Sequence, residues 1–146
     1  MKKTLLVLGL ALFTLTSKSF TAKTRIAANP LATLLVEFES NLKWSAVVDN
    51  WKTARAAWVK STNACTDAAS VAKKLVELEV NTKWKDVHPK WKVRRDAWMK
   101  ECASAKTNSA VAKLLVEFES YVAWESVEEA WKTRRDGWVS ACAAVK

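Results

Sequence analysis

Glycine and proline are scarce, with two of each in 146 residues. Sheet proteins draw on Gly, Asn-Gly and Pro at their turns, so this punctuation argues against a β architecture. Histidine is scarcer still, and His88 is the only one. One imidazole without a placed cysteine or carboxylate makes neither a catalytic triad nor a metal site. His88, just ahead of Pro89, reads as a solvated residue near a helix start. The three cysteines lack Cys-x-x-Cys spacing, and there is no glycine-rich phosphate loop. Glu37 and Glu39 are two apart, point to different faces of a helix and cannot form a carboxylate dyad. No segment has the roughly 18–20 consecutive apolar residues needed to span a bilayer. Neither enzymatic chemistry, nor a metal, nor a cofactor is therefore expected.

What is present favours helices. Half the chain is apolar, which argues against disorder, and Ala, Leu, Val, Lys and Glu dominate. Residues 1–19 read as a secretory signal peptide. Met1, Lys2 and Lys3 form a basic start, Leu5 to Leu15 an apolar stretch, and Ser17 and Ser19 the small residues before a cleavage point. Cleavage after Ala22 is the alternative. A secreted or periplasmic location follows, and residues 20–29 form an N-terminal extension ahead of a single domain at 30–146. Loss of Lys2, Lys3 and Lys18 leaves 21 basic and 15 acidic residues, from the 24 and 15 of the whole chain.

The dominant feature is internal repetition. Residues 31–70, 71–110 and 111–146 align without gaps at a 40-residue period. Each carries L-V-E-x-E, then a Trp, then W-K-x-x-R-x-x-W. In the first copy Leu31, Leu34, Leu35, Phe38 and Leu42 fall on one stripe of a helix. Val111, Leu114, Leu115, Phe118 and Val122 do so in the third. Ala72, Val76 and Val80 mark a second apolar face, so the first helix of each copy is expected to lie between neighbours. A second helix carries Val47, Val48, Trp51, Arg55, Trp58 and Val59. Asn29-Pro30 reads as a cap followed by Pro in the first turn, and Asp67 and Asn108 read as the later caps. Ser126–Glu129 reads as a capping box, with Asp86 capping the same helix of the second copy. The expected fold is all-α: three tandem helical hairpins, six helices, in a short α-solenoid or a compact helical bundle.

Nine tryptophans are unusual in such a chain. They recur with an arginine as Trp44, Trp51, Arg55 and Trp58; Trp84, Trp91, Arg95 and Trp98; and Trp124, Trp131, Arg135 and Trp138. The periodicity predicts a structural Trp/Arg motif packing the hairpins together, with Glu–Arg pairs across each hairpin and the guanidinium placed over an indole. The sharper alternative is an exposed Trp–Arg ladder facing a ligand. Cys102 and Cys142 occupy equivalent positions, too far apart in stacked helices for a disulfide. Cys65 lies out of that register, so Cys65 with Cys102 is the expected pair. The middle copy holds ten basic and five acidic residues. Its cluster of Lys83, Lys85, Lys90, Lys92, Arg94 and Arg95 is the candidate anion-binding patch.

Exported tandem helical hairpins marked by recurring Trp resemble the WY-type effector repeats of filamentous plant pathogens. Residues 20–30 carry no Arg-x-Leu-Arg motif, and Tyr121 is the only tyrosine, so the resemblance is architectural and assigns no residue a role. It implies an effector-like interaction protein. The functional expectation is a non-enzymatic scaffold for a protein partner. The alternative is a binder of anionic polymer, such as acidic glycan, cell-wall material, lipid head groups or nucleic acid, through the middle repeat and the Trp/Arg face.

Overall fold

The computed structural model describes residues 27–146. The signal-peptide reading of 1–19 and most of the 20–29 extension lie outside the described residues. The described chain forms six α-helices: α1 Pro30–Ser40, α2 Asp49–Asn63, α3 Ala68–Asn81, α4 Trp91–Ser104, α5 Asn108–Tyr121 and α6 Glu129–Ala144. A single 3-10 turn separates the helices of each hairpin, at Trp44–Ala46, Trp84–Asp86 and Trp124–Ser126.

The helix starts follow local chemistry. Asn29 accepts the Leu31 amide at 3.0 Å, with Pro30 in the first position, and Asp67 accepts the Ser70 amide at 2.8 Å. The cap of α5 is Thr107, one residue before the expected Asn108, and it accepts from the Ala110 amide. Each bond satisfies an amide that the first helical turn leaves without a partner. The odd-numbered helices end without a glycine or any positive φ. Instead, Asn41 and Asn81 each donate a side-chain bond back one turn, to the carbonyls of Glu37 and Glu77.

Two expected starts are corrected. Ser126 and Asp86 sit in the 3-10 turns, and α6 and α4 begin later, at Glu129 and Trp91, with no side-chain cap on either. The Ser-x-x-Glu spacing at 126–129 is overridden because residues 42, 82 and 122 and residues 47, 87 and 127 pair in extended conformation. A helix cannot start until that pairing ends.

The hairpins close on themselves. Helices α1, α3 and α5 touch one another around a common axis. Phe38, Leu78 and Phe118 meet there at equivalent positions, each fully buried, as are Leu35, Leu75 and Leu115. The second helix of each hairpin packs on its own partner and on the first helix of the next: α2 on α3, α4 on α5, and α6 on α1. Three indole hydrogen bonds repeat this relation. Trp58 Nε1 donates to the Lys74 carbonyl at 3.2 Å, Trp98 to Leu114 at 3.0 Å, and Trp138 to Leu34 at 2.9 Å. The last joins residues at opposite ends of the domain. Of the two expected arrangements, the structure therefore takes the compact bundle, a pseudo-threefold ring of hairpins, and not an open solenoid. Every hairpin has two neighbours, which explains why both faces of α1, α3 and α5 carry apolar side chains.

Candidate functional site

The three 3-10 turns gather at one end of the bundle and are locked by two rings of backbone hydrogen bonds. Lys43 donates to the Ser126 carbonyl at 2.9 Å, Lys83 to Ala46 at 2.8 Å, and Ala123 to Asp86 at 2.9 Å. Val48 donates to Asn81 at 2.9 Å, His88 to Tyr121 at 2.7 Å, and Glu128 to Asn41 at 2.8 Å. Within each ring every hairpin donates to one neighbour and accepts from the other, and the two rings run in opposite senses. The turns are fixed in space by bonds between hairpins, as a surface loop held only at its ends would not be.

This frame divides the nine tryptophans into two sets. Trp51, Trp58, Trp91, Trp98, Trp131 and Trp138 are core, none more than 4% exposed. Within each hairpin the two rings stand 5.1–5.2 Å apart in edge-to-face geometry, which aromatic quadrupoles favour. Trp44, Trp84 and Trp124, in the turns, are 51%, 48% and 49% exposed. They are three of the five exposed large hydrophobic residues among the described residues. The core expectation holds for six indoles and is corrected for three. Trp44 stands in the 3-10 turn, and the extended residues Val47 and Val48 separate it from the helix whose buried face carries Trp51 and Trp58.

Beneath the turns lies one network in triplicate. The Glu39 carboxylate is buried and accepts Trp51 Nε1 at 2.9 Å and Arg55 Nε at 2.8 Å. Glu79 does the same for Trp91 and Arg95, and Glu119 for Trp131 and Arg135. The expected Glu–Arg pairs are these, and a charge-assisted bond to each arginine offsets the cost of taking the carboxylate from water. The hydrogen bonds to Glu79 and Glu119 raise the pKa values of Arg95 and Arg135 above the ordinary arginine range. The guanidinium lies over the turn indole and not over the core pair: Arg55 is 6.0 Å from the centre of Trp44, and Arg95 is 5.6 Å from that of Trp84. Small pockets of about 240 Å³ open beside Trp44, among Glu39, Ser40 and Arg55, and beside Trp124, among Glu119, Ser120 and Arg135.

The basic cluster of the middle hairpin separates into structural and surface cations. Arg94 bonds to both Glu101 and Glu117, tying α4 to α5, and Arg95 belongs to Glu79. Lys83, Lys85, Lys90 and Lys92 remain, in the turn and the start of α4, with Lys92 5.7 Å from the Trp84 ring centre. Lys85 lies 3.8 Å from the Asp86 carboxylate, which also accepts from Ser126 at 2.7 Å.

The third hairpin inverts this charge. Glu125 stands where the second has Lys85, and Glu128 where it has His88. The turn end is therefore a rigid face with three tryptophans, one basic sector and one acidic sector. Alignment of the copies carries this inversion, and reading charge by repeat totals alone passes over it.

The remaining candidates lie elsewhere. A shallow groove of about 410 Å³ between α5 and α6 is floored by Ala112, Val116, Val139 and Cys142, and a similar one lies between α3 and α4 over Cys102. Small apolar side chains dominate both. The expected Cys65–Cys102 disulfide is not formed: all three cysteines are buried free thiols. Cys65 caps the end of its hairpin, bonded to the Ser61 carbonyl, while Cys102 faces the groove of the next. Burial pushes the Cys102 and Cys142 thiols up to about 12, which makes them poor nucleophiles. His88 is exposed in the turn before α4, and its Nδ1 accepts from the Lys90 amide. Among the described residues no group of three metal-ligating side chains converges, and no helix is long and apolar enough to cross a membrane. Compared with known protein families, with curated proteins and with solved structures, the chain finds no match.

Proposed function

We propose that this chain is a non-enzymatic interaction scaffold that engages a protein partner through its tryptophan-ringed turn end, after export to a secreted or periplasmic location. One observation carries the reading: three half-exposed indoles at equivalent positions on a frame held by backbone hydrogen bonds. Tryptophan is enriched at protein interfaces and among the residues that dominate their energetics. A preformed frame also lowers the entropy lost on binding. The test is affinity capture by the purified chain at physiological salt, beside a Trp44→Ala, Trp84→Ala, Trp124→Ala variant whose helical content is checked by circular dichroism. A partner retained by the native chain and lost by the folded variant is expected; identical capture by both ends the proposal.

A second reading, binding of an anionic polymer, is favoured by the lysines of the basic sector. It is confined to that sector, because Arg94 and Arg95 are held by carboxylates and the third hairpin is acidic. Replacing Lys83, Lys85, Lys90 and Lys92 with Ser is expected to abolish such binding and its salt dependence. Unchanged binding to polyanions by that variant eliminates the reading.

A further inference from the structure

We infer that the turn end binds a second copy of this chain face to face, in one rotational register selected by charge. The inference rests on the proposal that the turn end is the binding face, and it names the partner. Its basis is the charge of the three sectors, taken over the equivalent positions 43–52, 83–92 and 123–132. Lys83, Lys85, Lys90 and Lys92 against Asp86 leave the second sector at +3. Glu125, Glu128 and Glu129 against Lys132 leave the third at −2. Lys43 and Lys52 against Asp49 leave the first at +1. Within the molecule Lys132 pairs with Glu129, so Glu125 and Glu128 carry the third sector's outward charge.

Closed dimers use a twofold axis, and the same patch serves both copies. Two threefold-like faces laid together have three twofold registers, one through each sector. An axis through the second sector places +3 on +3. An axis through the third places −2 on −2 and sets the first sector against the second, positive on positive, twice. An axis through the first sector sets the second of each copy on the third of the other, so opposite charges meet twice, and only the weakly charged first sectors face each other. That register alone is attractive. It brings all six turn tryptophans into the contact, where their exposed halves leave water together. A charge pattern of this kind selects register and suppresses the wrong arrangements more than it adds affinity.

The test is analytical ultracentrifugation of the native chain with two charge-reversed variants. Lys85→Glu with Lys90→Glu takes the second sector from +3 to −1, and Glu125→Lys with Glu128→Lys takes the third from −2 to +2. All four positions are exposed, so folding is preserved, as circular dichroism will verify. The native chain is expected to dimerise, with a Kd that weakens about tenfold between roughly 50 and 500 mM salt as the sector charges are screened. The Glu125→Lys, Glu128→Lys variant, positive in all three sectors, should be monomeric; the Lys85→Glu, Lys90→Glu variant, whose best register is only weakly attractive, should dimerise far more weakly than the native chain; and an equimolar mixture of the two should form a heterodimer. A native chain that is monomeric at about 0.5 mM, variants that dimerise as the native chain does, or a mixture that stays monomeric overturns the inference. If the native chain is monomeric yet captures another protein through its turn tryptophans, the interaction scaffold stands without self-association. If it dimerises and captures nothing else, the second copy is the face's partner and the scaffold for other proteins fails.

Discussion

Removing the Trp138 side chain tests the closure of the ring, on which every statement about the turn end depends. Trp138 is fully buried. Its ring lies 5.1 Å from Trp131 and 5.7 Å from Phe38 across the seam between the last hairpin and the first. Its N–H bonds to the Leu34 carbonyl at 2.9 Å. Trp138→Ala deletes this packing and leaves a cavity, a change that costs about 3–5 kcal/mol in buried cores. Because Leu34 lies within α1 and its carbonyl has a second lone pair, the lost hydrogen bond is the smaller part. Trp98→Ala, at the equivalent position of an internal seam, should cost the same within about 1 kcal/mol. In an open array the last hairpin would have no following neighbour. Trp138 would then face water, and its removal would cost within about 0.5 kcal/mol of nothing. Urea unfolding followed by circular dichroism at 222 nm separates the two, with an unchanged slope showing that the same surface is exposed. A cost below about 1 kcal/mol for Trp138→Ala beside a full cost for Trp98→Ala refutes the closed ring.

Three further outcomes follow from the packing. The Thr62 hydroxyl is buried and has no hydrogen-bond partner among the described residues, so Thr62→Val should stabilise the fold by about 1 kcal/mol in the same assay; a loss shows that the hydroxyl has a partner. Burial raises the Cys102 and Cys142 thiols to about 12 from an ordinary 9.0. The folded state thus favours the protonated form, and the associated stability is present below pH 9 and lost as pH rises from 9 towards 12. Urea midpoints over that range should fall less steeply in a Cys102→Ala, Cys142→Ala variant, and parallel curves contradict the assignment. Arg94 and Arg134 bridge to Glu117 and Glu37 of the next hairpin, but the first hairpin has Ala54 there, facing a Glu77 that turns back to Lys74. Ala54→Arg should supply the third bridge and, as an exposed pair, add no more than about 0.5 kcal/mol; a lower urea midpoint argues against equivalence of the three seams.

Repeats, helices and core tryptophans were legible because each obeys a local rule: a 40-residue period, apolar residues at helical spacing, and caps at Asn29 and Asp67. Closure was not, because the same hairpins stack into an open array or a ring depending on the rotation between neighbours, which no periodicity encodes. A usable sign was present. An open array needs polar outer faces on its terminal repeats, whereas Leu31, Leu35 and Phe38 in the first copy and Trp131 and Trp138 in the last are as apolar as their internal counterparts. The helix starts at 86 and 126 were misplaced for a related reason. The short extended pairing there, Val87 with Val122 and Val127 with Leu42, joins residues distant in the chain, and a local capping pattern carries no information about it.

The two tryptophan sets also differ in what holds them. Positions 51 and 58 and their counterparts are constrained by the closed core, since any smaller residue leaves a cavity at a seam. Positions 44, 84 and 124 carry no such constraint: half of each ring is in water, and among the described residues cation contacts occur at Trp44 and Trp84 but not at Trp124. Their immediate neighbours have diverged, to Ser45, Lys85 and Glu125, while the indole stands in every copy. If Trp44 and Trp124 served only to cover the pockets beside them, a leucine would bury comparable apolar surface with less left exposed. On the function proposed above, the half that faces solvent is the half a partner would cover. The divergent residues beside it then have a consistent role, since charges of opposite sign placed around a shared aromatic contact determine which surface can approach it and in which orientation.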